Sequence, residues 1–408
     1  MKKIILLAAV LYFLVAPFTY HPDTKLVLYY PTLNNSKVWN IYTYLNTHQD
    51  DAPKFHYPPM HYWVLKAELP LVKLIGGKNI VNWLKTGGNV AFNDPKVYLY
   101  NLACKFPLLI LILLSGVLIG KIAIKNGYKK EIALKAIKIW LFNPLTLYSA
   151  VIMGQNDILA ICPFLIGLYF YSDLPFLAFF LFGVSGSIKN YPLIWAIILA
   201  LIYPKVSWFK KIVLGTVAVG LYLLSMAPFL GLNYFREDVL YSGLSIRMFE
   251  SVLNIGFGEK ILLVPVLLLV VILIAVKKNL GRSLRGQMSV LLTATILILG
   301  LTHFHPQWLI WIMPFVAIIL AIEKENWWFW LLMPAVALIT LLFEDKFLYW
   351  GLLTPINSNL INLPFMGQYL QTKGVDIELL NNLCHSVVAG VAIYWLWNLG
   401  NLKHENRK

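Results

Sequence analysis

The sequence predicts an all-α, polytopic integral membrane protein of about twelve transmembrane helices, with a long first outer loop that contains a surface helix. Three observations predict it. Of the 408 residues, 59% are hydrophobic and 13% charged, with a mean hydropathy of +0.69; soluble domains average about 45–50% apolar and about 25% charged. Apolar runs near the roughly 20 residues that cross a core of about 30 Å recur along the chain. The net charge of +15 sits in short clusters between those runs. That is the pattern of membrane loops, so no nucleic-acid partner is expected.

The runs fall at about residues 4–20, 98–123, 132–150, 157–172, 174–188, 190–204, 209–228, 260–277, 287–303, 306–323, 326–343 and 383–400. No clear small-x-small cleavage site follows the first run, which is read as a retained helix. The runs between 157 and 204 are short for a full crossing and call for local thinning or burial against other helices. With the N-terminus in the cytoplasm, the inner loops take 19 of the 34 basic residues but five of the 19 acids. This asymmetry fits the positive-inside rule, and one missed or added helix would scramble it. Residues 60–76 look helical but carry Lys66, Glu68 and Lys73 beside Pro70. Three charges at bilayer depth are expensive, so this segment is read as an amphipathic helix on the outer surface. Long loops at 21–97, 229–259 and 344–382 then all lie outside. No fixed-period repeat appears, and residues 1–408 read as one membrane unit. Cys104, Cys162 and Cys384 lie in or beside apolar runs without metal-type spacing and read as small core residues.

Polar groups return repeatedly to the outer side. Asp23 lies just past the first run, where a partly desolvated carboxylate can take a proton from a substrate hydroxyl; an ordinary interfacial Asp is the plain alternative. Asp50 and Asp51 form an adjacent pair that can share a metal but more often is simply solvated. In HYPPM (56–60) the prolines begin the surface helix, and His56, Tyr57 and His61 lie beside them. Gln155, Asn156 and Asp157 follow Gly154 at a helix corner, where they can cap the next helix or bind sugar hydroxyls. Lys189, with Tyr191 and Pro192, can snorkel to headgroups or neutralise a lipid-linked phosphate. In THFHPQW (302–308), His303 and His305 suit a phosphate or sugar better than a metal, for want of a third ligand; Gln307 shares the turn. Arg247 offers a fork for phosphate oxygens. Arg236 is read as paired with Glu237, Asp238 or Glu250.

In this order the motifs resemble those of the GT-C superfamily of polytopic glycosyltransferases, the mannosyltransferase-like enzymes that use polyprenyl-phosphate sugars. The elements are HPD at 21–23, NIYTYL at 40–45, YPPM at 57–60, Asn143-Pro144, Gly154-Gln155 with Asp157, Lys189 with Tyr191-Pro192, and HPQW at 305–308. The resemblance covers about residues 15–320; residues 1–228 are the more family-like part, and 229–408 hold variable helices and loops. It implies a GT-C-like fold and an outer-face active site in a multi-pass protein of the plasma membrane. It also implies Asp23 as general base in an inverting transfer of a mannose-like hexose. The donor would be a polyprenyl-phosphate-linked sugar, the acceptor a lipid-linked or surface glycan or glycolipid, and neither metal nor other cofactor is expected. A transporter or flippase of a lipid-linked or small substrate is the main rival, and a ligase of preassembled glycans a second.

Overall fold

The computed structural model describes residues 1–242 and 246–402. The chain is mostly helical, as the apolar runs require. The longer helices are α1 (Lys2–Val15), α2 (Pro22–Tyr29), α3 (Pro59–Gly76), α4 (Val97–Lys125), α5 (Lys130–Phe142), α6 (Ile158–Phe170) and α7 (Pro175–Ile188). They continue with α8 (Tyr191–Leu201), α9 (Trp208–Met226), α10 (Leu263–Lys277), α11 (Leu284–Gly300), α12 (Met313–Ile322), α13 (Trp327–Leu342) and α14 (Ile377–Asn401).

Among the described residues three helices are long and apolar enough to cross a membrane: α4, α9 extended to Phe229, and α14. Lys2–Phe18 and Pro22–Ser36 pass together as a pair bent by 86°. Seven others among the described residues (α6, α7, α8, α10, α11, α12 and α13) are apolar but only 10–17 residues long. At 1.5 Å per residue, the 11 residues of α8 reach about 16 Å, roughly half the hydrocarbon core. The helix α3 is not among the membrane-length apolar helices. One face of it (His61, Tyr62, Leu65, Leu69 and Val72) is buried.

Packing follows the small residues. α7 lies on α6 and α9, α4 on α5 and α6, and α11 on α12 and α14. At Gly183 of α7 an added Cβ would sit 2.8 Å from the Ala218 carbonyl of α9, so that close crossing requires a glycine.

Two expectations need correction. The run expected as one helix over 132–150 breaks at Asn143, whose extended backbone (ψ 135°) precedes Pro144. Proline disfavours the helical conformation of its predecessor. A short turn and a π-helical stretch, Leu147–Ile152, come next. The chain is also not wholly α: an antiparallel hairpin, β1 (Val252–Gly256) and β2 (Glu259–Leu262), spans the junction of the loop at 229–259 with the run expected at 260–277, and leads directly into α10.

Candidate active site

Asp23 is placed by the break after α1. The chain turns through a short 3-10 segment, Ala16–Phe18, and His21 caps α2: its Nδ1 accepts the Asp23 N–H at 3.2 Å. Pro22 sits in the first turn, where its missing N–H costs nothing. Burial holds His21 below the usual imidazole range despite the nearby Asp23 carboxylate. The ring therefore works as a neutral acceptor. The Asp23 side chain is 46% exposed and faces a cavity of about 430 Å³.

Two residues that sequence reading passed over clamp this turn to the corner at 152–157. Thr24 donates to the carbonyls of Met153 (2.7 Å) and Gly154 (3.1 Å). Lys105, buried within α4, holds Thr19 O and Oγ1 at 2.8 and 2.7 Å and Ile152 O at 2.5 Å. Gly154 has φ +70° and its Cβ would meet Thr24 Oγ1 at 2.9 Å. Only glycine takes this left-handed, crowded position without strain. The clamp brings Gln155 Nε2 to 3.5 Å from Asp23 Oδ2. A lysine inside an apolar run was itself the signal that could have found Lys105, because intramembrane charges are rarely idle.

Asp157 stands at the start of α6, yet its carboxylate does not cap that helix. It is fully buried, accepts Trp311 Nε1–H at 2.7 Å, and lies 3.4 Å from Lys189 Nζ. The capping expectation fails here because a cation and an indole from distant chain outcompete the local N–H groups. Lys189 also sits 4.5 Å above the Tyr57 ring, which stacks on His61. From Trp311 a line of rings runs outward. Tyr191 stacks on it at 4.0 Å, Trp308 lies parallel at 5.1 Å, and the Arg247 guanidinium covers Trp308 at 5.6 Å.

The cavity is lined by Asp23, His56, Tyr57, Gln155, Lys189, Tyr191, Arg247, His305 and Gln307 among the expected residues. Asn156, Asp157 and His303 are not in its lining. Asp157 acts on it through Lys189 and Trp311. His303 packs on Phe343, and its carbonyl accepts from Arg247 at 3.4 Å. His56 is anchored by Nδ1 to the Asp238 carbonyl at 2.9 Å. Gln307 is buried, and its Oε1 has no hydrogen-bond partner among the described residues. Burial, reinforced by Arg247 and His303, pushes the His305 imidazole down to about 4. It is neutral at pH 7, so it can share a hydrogen bond with a phosphate but cannot supply charge.

Asp50 and Asp51 lie away from the cavity, and the Asp51 carboxylate accepts from the Tyr44 hydroxyl. Arg236 bonds Asn233 rather than an acid, while Asp238 pairs with Lys54 at 2.7 Å. Among the described residues no three His, Cys, Asp or Glu side chains gather to hold a metal ion. The rest of the cavity wall is mostly apolar: Leu193, Ile194 and Ile197 of α8 and Ile298 and Leu299 of α11 line it, with Asn190, Thr295 and Thr302 as its polar members.

No protein-family model matches the chain. No curated protein matches its sequence. Among solved structures it is similar to the oligosaccharyltransferase of Archaeoglobus fulgidus, crystallised with a tethered acceptor peptide that contains an NVT sequon. The TM-score is 0.39 and the identity 13%, and the match covers 95% of this chain. The chain spans about half of that protein, 55% of its length.

Proposed function

We propose that the chain is a GT-C-type membrane glycosyltransferase that moves a mannose-like hexose from a polyprenyl-phosphate sugar to a lipid-linked or surface glycan acceptor. One observation carries the reading: one cavity is lined by a carboxylate, two cations and a group of apolar side chains. A lipid-phosphate sugar has the matching parts: an isoprenoid tail, one phosphate and a polar ring. The tail would lie between α8 and α11. The phosphate would meet Lys189 and Arg247, whose positive charge stabilises the leaving group as the glycosidic bond breaks. Lys189 is already half-satisfied by Asp157, so the cationic end suits one phosphate better than a pyrophosphate.

On this reading Asp23 takes the acceptor hydroxyl proton, the oxygen attacks the anomeric carbon, and the lipid phosphate departs with inversion. Gln155 and neutral His21 hold the base in place without competing for the proton. The twelve-crossing topology is retained as one unit. The shorter apolar helices cross by packing on their neighbours, and the cavity opens at the outer face of the plasma membrane. The buried Lys105 does not favour a transporter, because it is tied to backbone oxygens and lies outside the cavity lining.

The test uses purified protein in detergent with a short-chain polyprenyl-phosphate radiolabelled hexose and a lipid-linked acceptor. Transfer without any vesicle is expected, with loss of activity in Asp23→Asn. Movement of the lipid across reconstituted vesicles with no transfer in detergent would replace this reading with the transporter.

A further inference from the structure

The hairpin β1–β2 is exposed where a water-soluble hairpin would be polar. Its register pairs Leu253 with Ile261 and Asn254 with Lys260. Alternation along the strands then puts Leu253 and Ile261 on one face and Val252, Asn254, Lys260 and Leu262 on the other, and the register shifts at Ile255, just before the turn. Leu253 and Ile255 are exposed. The turn is Gly256-Phe257-Gly258, and all three residues have positive φ. Glycine takes that conformation freely, but an aromatic residue does so at a cost. Phe257 is nonetheless held there with 108% of its reference surface exposed, touching nothing that would repay the strain.

The neighbouring helix indicates what covers this face. β2 passes directly into α10, which exposes Val266, Leu269 and Leu273 along one stripe. α10 has 15 residues, about 22 Å, which is short of a core of about 30 Å. The hairpin extends the apolar surface at the end of α10 that needs it. An isolated two-stranded hairpin has unpaired outer edges, so it cannot lie in hydrocarbon. It can lie at the headgroup level, with an aromatic tip turned inward and the long Lys260 side chain reaching lipid phosphates.

We propose that this hairpin is a membrane-dipping arm that seats Phe257 at the headgroup–acyl boundary of the leaflet on the cavity side. The short turn Arg247–Phe249 packs on α10, and Arg247 and Met248 line the cavity. The arm is thus fixed to the wall through which a lipid-borne substrate would pass. Its contact is with the lipid surface alone and does not depend on what reaction the cavity performs.

The test places a cysteine at Phe257, in full-length protein with its three buried cysteines replaced, and labels it with an environment-sensitive fluorophore. The protein is reconstituted in nanodiscs of phosphatidylcholine and phosphatidylglycerol. Blue-shifted emission, quenched by lipids carrying a doxyl group high on the acyl chain, is expected. A label at the exposed Asp50 should give water-like emission with no such quenching. Water-like emission at position 257 overturns the proposal. So does a label shielded from soluble iodide yet untouched by doxyl lipid, which would assign the face to a second copy of the chain or another protein.

Discussion

The pair Asp157–Lys189 can be tested by stability alone, before any substrate is known. At the observed 3.4 Å, unit charges attract by about 5 kcal/mol in an effective dielectric of ~20. Desolvation cancels much of this, because Asp157 is fully buried and Lys189 nearly so. The useful asymmetry lies in the single variants. Lys189→Met leaves a buried carboxylate with only the Trp311 N–H beside it, which costs about 3–5 kcal/mol. Adding Asp157→Asn removes the stranded charge while an amide oxygen still accepts the indole, so the double variant should regain most of that loss. The assay is denaturant unfolding in detergent, followed by tryptophan fluorescence, for all four members of the cycle. A coupling of about 3 kcal/mol, at least the stability regained, is expected. A double variant no more stable than Lys189→Met would refute the claim that the two groups share one buried site.

Asp23→Asn should lower sugar transfer by about 10²–10⁴-fold, measured with the detergent assay, whereas Asp50→Asn and Asp51→Asn stay near wild type. Equal losses at all three would remove the preference for Asp23. Gly154→Ala combines about 1–2 kcal/mol of left-handed backbone strain with about 1–3 kcal/mol of overlap against Thr24 and Lys105. Gly127→Ala, at φ +84° with open space around it, should show the backbone cost alone in the same unfolding assay; equal losses would mean the clamp is slack. Below its ordinary value of 6.5 and above about 4, His305 gains a proton more readily in the unfolded chain. Its contribution to stability is therefore complete above about pH 6.5 and disappears as pH falls toward 4. His21, His61 and His303 shift in the same direction. His305→Gln should flatten part of the slope in unfolding midpoints taken from pH 7 to 4, and an unaltered slope would count against a buried neutral ring.

The positions of the apolar helices were legible because hydrophobic runs and proline or glycine breaks are local signals. α3 begins at the prolines of HYPPM, and α6 and α7 match their runs within a few residues. The hairpin was hidden because the apolar end of β2, Ile261-Leu262, merges without a break into α10, so the expected run at 260–277 absorbed most of β2. Asn143 broke an expected helix through a backbone preference that hydropathy does not see. At the site, residue types were readable but partners were not. Asp157 looked like a cap because its tertiary partner Trp311 lies 154 positions away. Lys105 was visible as a charge in an apolar run, but its partners, like those of Thr24, appeared only when the turn at Thr19 and the corner at Gly154 came together around them. The convergence of Asp23 with Gln155, Lys189, Arg247 and His305 on one cavity could not be computed from spacing. It depends on how α2, α8 and the 305–311 turn pack.

The most direct measurement is a cryo-electron microscopy structure of the protein with a polyprenyl phosphonate analogue of the sugar donor. The chain of the lipid is expected between α8 and α11. Phosphonate oxygens are expected within about 4 Å of Lys189 Nζ and the Arg247 guanidinium, with the sugar ring against Asp23. Ligand density outside this cavity, or a phosphonate that leaves both cations unengaged, would contradict the assignment of the cavity as a lipid-phosphate sugar site.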